Sequence, residues 1–193
     1  ILKTAEFGYD GKGQQKISGD ATASNLAAIW QSFDSQRAVL EERVELDTEI
    51  SVLVARGVAG EVVTYDPAEN IHSNHILDVS IVPARLPKNI LEEAQKVAIR
   101  VAEALDYIGI MAVEFFISKA GRLLVNEIAP RPHNSGHHTI DACMTSQFEQ
   151  QARAICGLSL GSTELKKPCA MLNLLGDLWP ESDTPPDWSP IFE

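Results

Sequence analysis

A dense polar segment, NEIAPRPHNSGHH, spans residues 126–138 and directly follows the apolar run GRLLV. Pro130 and Pro132 restrict the backbone and predict an extended chain around Arg131. The arginine guanidinium is a planar fork that suits carboxylate, bicarbonate or phosphate. His133 follows two residues later and is predicted on the same side of the chain. The segment is therefore predicted to bind an anion through Arg131 and His133, and a structural loop is the alternative.

Two glutamates lie on the pair of predicted strands that leads into this segment. Glu114 belongs to the run IMAVEFFIS and Glu127 to the run LLVNEIA, with the loop KAGR between them. An even register across this loop places Glu114 directly opposite Glu127. Facing carboxylates repel unless a cation lies between them, and Mg²⁺ is typically held by one or two carboxylates plus phosphates. A magnesium site is the prediction. An odd loop with a bulge at Gly121 would instead place Asn126 opposite Glu114, and two surface glutamates are the remaining alternative.

A glycine-rich stretch, GYDGKGQ, spans residues 8–14. Its three glycines and one lysine suit a loop whose backbone N–H groups approach phosphate. The Walker A pattern is absent, and Asp-Gly between two strands is also the commonest hairpin signal. From these residues alone a plain hairpin is favoured, and a phosphate-binding loop is the alternative.

A zinc site is a further alternative for the histidines. His133 and His137 have the spacing i, i+4. The pattern HExxH is absent, however, and no third soft ligand is near in sequence. Zinc chemistry is therefore ranked below anion binding.

The composition argues against several classes of function. The net charge is −11, and no basic face for nucleic acid is apparent. The longest apolar stretch is interrupted by Glu114 and is too short to cross a bilayer, so no membrane partner is expected. Three cysteines, at 143, 156 and 169, show no paired spacing, which fits a reducing cytoplasm better than a disulfide framework. Because the chain opens with Ile1 rather than Met, we expect it to be a piece of a longer protein.

The elements that must position these residues combine strand and helix patterns. Apolar residues recur at helical spacing in the segments 22–34, 88–107 and 139–155. The buried stripe predicted for the last of these comprises Ile140, Cys143, Met144, Phe148, Ala152 and Ile155. Strand-like runs, besides the two that carry the glutamates, cover 38–44, 48–57, 61–65 and 76–85. The pattern predicts an α+β fold with a largely antiparallel sheet, and the part up to about Val44 is predicted to form a separate lobe.

Several of these motifs, taken in order, resemble a known enzyme family. FGYDGKGQ, EERV, EISVLVARG, MAVEFF and NEIAPRPHNSGHHT resemble the N5-carboxyaminoimidazole ribonucleotide synthetases, which are ATP-grasp enzymes. The resemblance runs from Ile1 to about Gly176, and the segment that contains HNSGH is specific to this family. It implies an ATP-grasp fold that is truncated at its N-terminus. Residues 1–45 would be part of the nucleotide-binding lobe (the lid), and residues 46–193 would form the C-terminal lobe with the Mg–ATP and bicarbonate site.

The resemblance also implies a role for each matching residue. Nucleotide binding is implied for Lys3, Gly8, Asp10, Gly11, Gly13, Gln14, Glu41, Val44, Glu49, His72 and Asn126. Within this set, Lys3 would contact the phosphates or the adenine edge, and the loop 8–14 would close over the phosphates. Glu41 to Val44 would form the adenine hinge, and Glu49 would take the ribose. Glu114 and Glu127 would hold Mg²⁺. The residues implied to face bicarbonate and aminoimidazole ribonucleotide are Tyr9, Asp10, Arg131 and His133.

The implied reaction is an ATP-dependent carboxylation in purine biosynthesis. Bicarbonate attacks the γ-phosphate of ATP to give carboxyphosphate and ADP, and the carboxyl group then passes to the amine of aminoimidazole ribonucleotide. The resemblance further implies a homodimer in the full-length protein and a location in the cytoplasm. This chain alone is expected to be inactive. Two alternatives are kept: another ATP-grasp ligase or carboxylase, and a nucleotide-binding fragment without catalysis.

Overall fold

The computed structural model describes residues 1–5, 13–33, 37–176 and 187–189. Its strands are β1 Leu2–Thr4, β2 Gln14–Gln15, β3 Ala38–Leu40, β4 Leu46–Arg56, β5 Val62–Thr64, β6 Ala68–Ser73, β7 Ile76–Val82, β8 Gly109–Ser118, β9 Leu123–Ala129 and β10 Cys169–Leu172. Its α-helices are α1 Ala23–Ser32, α2 Lys88–Ala104, α3 Thr139–Ala142 and α4 Gln147–Ile155. A 3-10 turn, Asn134–Gly136, precedes α3.

The strands form two sheets. A small sheet has the order β2-β1-β3, and a larger one has the order β10-β7-β6-β4-β8-β9, with β5 paired to β4. Every strand pair in both sheets is antiparallel. The predicted α+β class with a largely antiparallel sheet is therefore confirmed. Within the part of the chain that the structure describes, no helix is long and apolar enough to cross a membrane.

Strand β4 lies at the centre of the larger sheet and is buried on both faces. On one face, Val52 and Val54 pack against α2. This helix presents Ala94, Ala98 and Ala102, which lie one helical turn apart and are fully buried. The predicted helix at 88–107 is thus confirmed, and its alanine stripe packs against the sheet.

The opposite face of the larger sheet carries the polar residues of interest. Leu53 of β4 and Ala112 of β8 belong to a second apolar cluster on this face. Side chains alternate along a strand, so Ser51 and Glu114, two positions away from these residues, share the same face. The fold thereby places both polar side chains next to this second cluster, with Ser51 itself buried.

Helix α1 differs from its sequence pattern. Thr22 caps the N-terminus of the helix in a capping box with Asn25. None of its residues is buried, and Leu26 and Trp30 of the predicted stripe are 42% and 48% exposed. The expected apolar face is present, but no described element covers it.

We expect the amide hydrogens of α1 to exchange roughly a thousandfold or more faster than those of α2, because local opening of an unpacked helix costs far less than global unfolding. Hydrogen exchange read out by mass spectrometry or NMR measures the ratio after correction for intrinsic rates. Equal protection of Ala23–Ser32 and Lys88–Ala104 would contradict the expectation.

The prediction of one continuous helix over 139–155 is wrong, and so is the face predicted to be buried. The chain leaves the helix at Cys143, which forms a β-bridge with Leu165, and Ser146 then caps α4. Most of the predicted stripe is exposed, as Met144, Phe148 and Ile155 illustrate. Three glutamines of α4 instead dock onto the backbone of neighbouring segments, namely Gln147, Gln150 and Gln151.

Candidate active site

Glu114 and Glu127 are direct cross-strand neighbours in the β8–β9 pair. The prediction that they face each other is confirmed, but the route to this register differs. The turn pairs Ile117 with Leu123, which is the odd register, and Gly121 adopts a φ of +74° there. A bulge at Asn126 then shifts β9 by one residue. The bulge moves Glu127 rather than Asn126 to the position opposite Glu114.

The two carboxylates influence each other electrostatically. Glu127 counts as an exposed residue, yet partial burial of its carboxyl raises its pKa, and the neighbouring Glu114 raises this pKa further. Three positively charged or ionisable side chains act in the opposite direction, namely Lys3, His133 and Arg131. A pair of facing oxygen donors with mutual repulsion fits a hard cation such as Mg²⁺, which relieves the repulsion when it binds.

His133 lies against the first of these glutamates. Its Nε2 atom is 3.0 Å from Oε1 of Glu114, and both side chains are mostly buried, with 13% and 14% of their surface exposed. Its Nδ1 atom is 2.9 Å from the hydroxyl of Ser135. Both ring nitrogens of the histidine therefore contact side chains. His133, Glu114 and Glu127 lie next to one another in that order.

Gln147 fixes the backbone of His133. The amide N–H of His133 donates to Oε1 of Gln147 at 2.9 Å, and Nε2 of Gln147 donates to the carbonyl of His133 at 2.8 Å. The Gln147 side chain is fully buried, and its own backbone N–H donates to the hydroxyl of Thr139 at 2.8 Å. The side-chain amide of Gln147 thus satisfies both backbone groups of His133, as a neighbouring strand would.

A second histidine–carboxylate pair lies on the same face, at Glu49, two residues along β4 from the cross-strand partner of Glu114. Nδ1 of His72 is 3.0 Å from Oε2 of Glu49. This contact raises the pKa of His72 against the lowering effect of burial, and the charges of Glu114 and Glu127 raise it further. The nucleotide residues and the metal residues implied by the resemblance are thus within electrostatic range of one another.

Lys3 connects the small sheet to this region. Its Nζ atom is 2.7 Å from Oε2 of Glu41, and its charge lowers the pKa of Glu127. Gln14 of β2 pairs directly with Lys3, and the backbone carbonyl of Gly13 accepts from Thr4 at 2.8 Å. The small sheet therefore brings Lys3, Glu41 and the end of the glycine loop together.

The remaining predicted residues divide into described and undescribed ones. Arg131 is exposed, and its guanidinium donates to the carbonyl of Pro132 at 2.9 Å. Val44 is half-buried in the segment that joins β3 to β4. Gly8, Tyr9, Asp10 and Gly11 lie outside the described residues.

The geometry gives no support to the zinc alternative. Both ring nitrogens of His133 contact protein side chains, and the ring of His137 stacks on Phe148 at a centroid distance of 6.0 Å. Among the described residues, no group of three or more His, Cys, Asp or Glu side chains is arranged to hold a metal ion.

Several residues of the site were missed by sequence reasoning. They are polar residues that hydrogen-bond to His133 directly or through one another: Ser51, Asn70, Ser135, Thr139 and Gln147. The sequence offered two signals for these residues: the serine at the start of the apolar run SVLVARG, and the turn sequence NSG at 134–136. Neither specifies a partner.

The chain is similar to a well-defined group of proteins. A family profile for the ATP-grasp domain matches residues 1–148. The N5-carboxyaminoimidazole ribonucleotide synthase of Bacillus subtilis (strain 168) is 52% identical over 177 residues, which are 92% of this chain and 46% of the relative. The protein of the same name from Brucella melitensis biotype 1 is 46% identical over 179 residues, which are 92% of this chain and 49% of the relative.

Solved structures agree with this similarity. The ADP complex of an N5-carboxyaminoimidazole ribonucleotide synthetase aligns with a TM-score of 0.82 at 45% identity, covering 92% of this chain and 46% of that chain. The synthase from Aspergillus clavatus in complex with ADP and 5-aminoimidazole ribonucleotide aligns with a TM-score of 0.79 at 29% identity, covering 91% of this chain and 45% of that chain. The chain thus spans about half the length of the curated relatives it matches.

Proposed function

Because the chain belongs to the ATP-grasp family, we propose that it carries the Mg–ATP and bicarbonate site of an N5-carboxyaminoimidazole ribonucleotide synthase. The full-length protein would use ATP and bicarbonate to carboxylate 5-aminoimidazole ribonucleotide in purine biosynthesis. The observation that carries this proposal is the facing pair Glu114–Glu127 beside His133. Similarity to synthases that bind ADP and 5-aminoimidazole ribonucleotide supports the choice of substrates.

The nucleotide would lie between the small sheet and the exposed polar face of the larger sheet. Lys3 and the loop 8–14 would hold the phosphates, and the segment from Glu41 to Val44 would hydrogen-bond adenine. Glu49, with His72 against it, would take the ribose. The proposed division into two lobes at residue 45 falls between β3 of the small sheet, which ends at Leu40, and β4 of the larger sheet, which begins at Leu46.

Glu114 and Glu127 would hold the metal, with Asn126 beside them at the bulge. A bound Mg²⁺ would neutralise the charge that develops during phosphoryl transfer. The carboxylates need to be ionised for this role, and the raised pKa of Glu127 moves its ionisation to a higher pH than that of an ordinary glutamate.

The reaction would proceed in two steps, a phosphoryl transfer and a carboxyl transfer. An oxygen of bicarbonate forms a bond to the γ-phosphorus of ATP as the bond to the leaving ADP breaks, which gives carboxyphosphate. The amine of the ribonucleotide then receives the carboxyl group, either directly or as CO₂, while phosphate leaves and the amine loses a proton. Arg131 would hold the anionic intermediate, with Tyr9, Asp10 and His133 around the substrates, because preorganised donors are effective where negative charge accumulates.

Omission of single substrates tests this proposal in the full-length protein. ADP release is expected to require Mg²⁺, bicarbonate and 5-aminoimidazole ribonucleotide together, with one N5-carboxylated product formed per ADP. ADP release that ignores the ribonucleotide would point to another ATP-grasp ligase or carboxylase.

Replacing Arg131 with alanine in the full-length protein is expected to lower kcat for carboxylation about a hundredfold, since a charge-assisted hydrogen bond contributes about 2–3 kcal/mol. The affinity for Mg–ATP should change little, because the proposed contact is with bicarbonate and not with the nucleotide. Steady-state kinetics and calorimetric titration measure the two quantities separately.

The control for that substitution is Arg100→Ala, which removes an exposed arginine of α2 that forms an exposed ion pair with Glu93 at 3.7 Å. This variant should retain normal turnover. Near-normal product formation by Arg131→Ala would remove Arg131 from the site.

A nucleotide-binding module without catalysis is the second candidate. It is favoured by one observation, namely that the chain spans about half the length of its curated relatives. The chain alone is then expected to bind Mg–ATP without turnover, whereas the full-length protein turns over. Assays on both separate the two descriptions. A homodimer and a location in the cytoplasm remain predictions that follow from the resemblance.

A further inference from the structure

A chain of side-chain hydrogen bonds runs through the larger sheet towards His133. The Ser80 hydroxyl donates to Oδ1 of Asn70 at 2.9 Å, and Nδ2 of Asn70 donates to the Ser51 hydroxyl at 2.9 Å. The Ser51 hydroxyl donates to the Ser135 hydroxyl at 2.8 Å. All four side chains are buried, with exposed fractions between 0% and 6%. We call Ser80, Asn70, Ser51 and Ser135 the serine relay.

The register of the sheet assembles most of the relay before His133 is involved. Ser80 and Asn70 are cross-strand partners in the β6–β7 pair. Ser51 is the cross-strand partner of Glu114 in the β4–β8 pair. Only Ser135 comes from outside the sheet, on the 3-10 turn that follows His133. The relay therefore connects a rigid framework to one loop residue.

The relay has a defined donor direction. An amide nitrogen donates and an amide oxygen accepts, so Asn70 must donate to Ser51 and accept from Ser80. Ser51 uses its single proton on Ser135. The proton of the Ser135 hydroxyl is then left for Nδ1 of His133, 2.9 Å away. The donor-to-acceptor direction is thus the same at every step from Ser80 to the ring of His133.

The backbone contact at the histidine agrees with this direction. The N–H of Ser135 donates to Nδ1 of His133 at 3.4 Å, which makes His133 the cap of the 3-10 turn. A backbone N–H has no choice of role, so Nδ1 carries a lone pair and not a proton. A lone pair on Nδ1 leaves the ring proton to Nε2, which lies 3.0 Å from Oε1 of Glu114 and can donate to it.

We propose that Ser135, oriented by the serine relay, is a positioning residue that keeps His133 in the Nε2–H tautomer and so holds the carboxylate of Glu114. Hydrogen bonds from outside a metal site orient the ligands and affect affinity and activity about 10–100-fold. The role of Glu114 as a metal ligand rests on the function proposed above. The tautomer of His133 does not depend on it.

The test uses the full-length protein with ¹⁵N-labelled histidine, and the signals of His133 are assigned by their loss in His133→Gln. Long-range ¹H–¹⁵N correlation spectra distinguish a protonated ring nitrogen from an unprotonated one. The wild type is expected to show one tautomer, protonated at Nε2. Ser135→Ala is expected to replace this signature with an average of tautomers and to lower kcat for ADP release about tenfold.

Ser118→Ala is the matched control. Its hydroxyl is also buried, at 4% exposure, and accepts from the N–H of Arg122 at 3.1 Å in the β8–β9 turn, outside the relay. This variant loses the same atoms as Ser135→Ala but should leave the His133 spectrum unchanged. Ser51→Ala removes the donor to Ser135 and should shift the spectrum in the same direction to a smaller extent, and it provides the test if Ser135→Ala does not fold.

The outcomes separate this inference from the proposed function. A wild-type ring protonated at Nδ1, or a spectrum unchanged in both Ser135→Ala and Ser51→Ala, would overturn the positioning role. An Nε2–H ring that responds to these substitutions in a protein without ribonucleotide-dependent ADP release would support the positioning role and overturn the proposed function.

Discussion

Replacing Glu127 with glutamine is expected to abolish most of the stabilisation that Mg–ATP gives to the full-length protein. A ligand at a hundredfold excess over its Kd stabilises a protein by about 2.7 kcal/mol. If the substitution weakens binding roughly a hundredfold, the same ligand concentration stabilises the variant by only about 0.4 kcal/mol. Thermal melts with and without Mg–ATP measure both values, and Glu114→Gln should behave in the same way.

The ligand-free variant is expected to be at least as stable as the wild type. Burial and Glu114 raise the pKa of Glu127. A raised pKa in the folded state gives a stability contribution that is fully present below the unfolded-state pKa and is lost as the pH rises through the folded-state value. Under the proposed function, Mg–ATP affinity has the opposite dependence on pH, because only the ionised carboxylate would bind the metal. Glu127→Gln removes both dependences on pH.

The control for this prediction is Glu92→Gln on α2. Glu92 forms an exposed ion pair with Lys88 at 3.5 Å, and such pairs contribute little to stability. The control variant should keep the full ligand-induced shift in melting temperature. If Glu114→Gln and Glu127→Gln keep it as well, the facing glutamates do not bind the metal.

Replacing Gln147 with leucine is expected to destabilise the protein by about 3 kcal/mol. The substitution leaves the N–H and the carbonyl of His133 without their partners, and each unsatisfied buried polar group costs about 1–3 kcal/mol. For a chain of this size, the melting temperature should fall by roughly 6–12 °C. Differential scanning calorimetry measures the change.

Gln31→Leu on α1 is a suitable control, because Gln31 is exposed and undergoes the same chemical change. This variant should melt within about 0.5 kcal/mol of the wild type, as surface substitutions usually do. A Gln147→Leu variant with equal stability would show that the clamp on His133 is not needed to hold the loop.

The parts of the fold that follow a simple period could be predicted from the sequence. The stripe of alanines in α2 and the strands around Glu114 and Glu127 have the expected apolar spacing. Strand β6 was missed because its residues, AENIHS, are mostly polar. Its side chains face a sheet surface that is filled by ion pairs and hydrogen bonds, so hydrophobic periodicity carries no signal there.

The site could be predicted only in part, for a physical reason. The facing of Glu114 and Glu127 depends on an odd turn and a bulge whose effects cancel, and the sequence does not specify either. Residues such as Ser51, Ser135 and Gln147 act through partners that are distant in the chain. A polar residue has many possible partners, and only the folded structure selects among them. This explains why α4, which docks through glutamines, was given the wrong buried face.

The origin of the phosphate oxygen is the most direct test of the proposed carboxylation. If bicarbonate attacks the γ-phosphorus, one bicarbonate oxygen stays with phosphate when the carboxyl group is transferred. Full-length protein that turns over with ¹⁸O-labelled bicarbonate, Mg–ATP and 5-aminoimidazole ribonucleotide, sampled before the label exchanges with water, should release phosphate with one ¹⁸O atom. Phosphate that takes its new oxygen only from water would contradict the carboxyphosphate route and identify a simple ATPase.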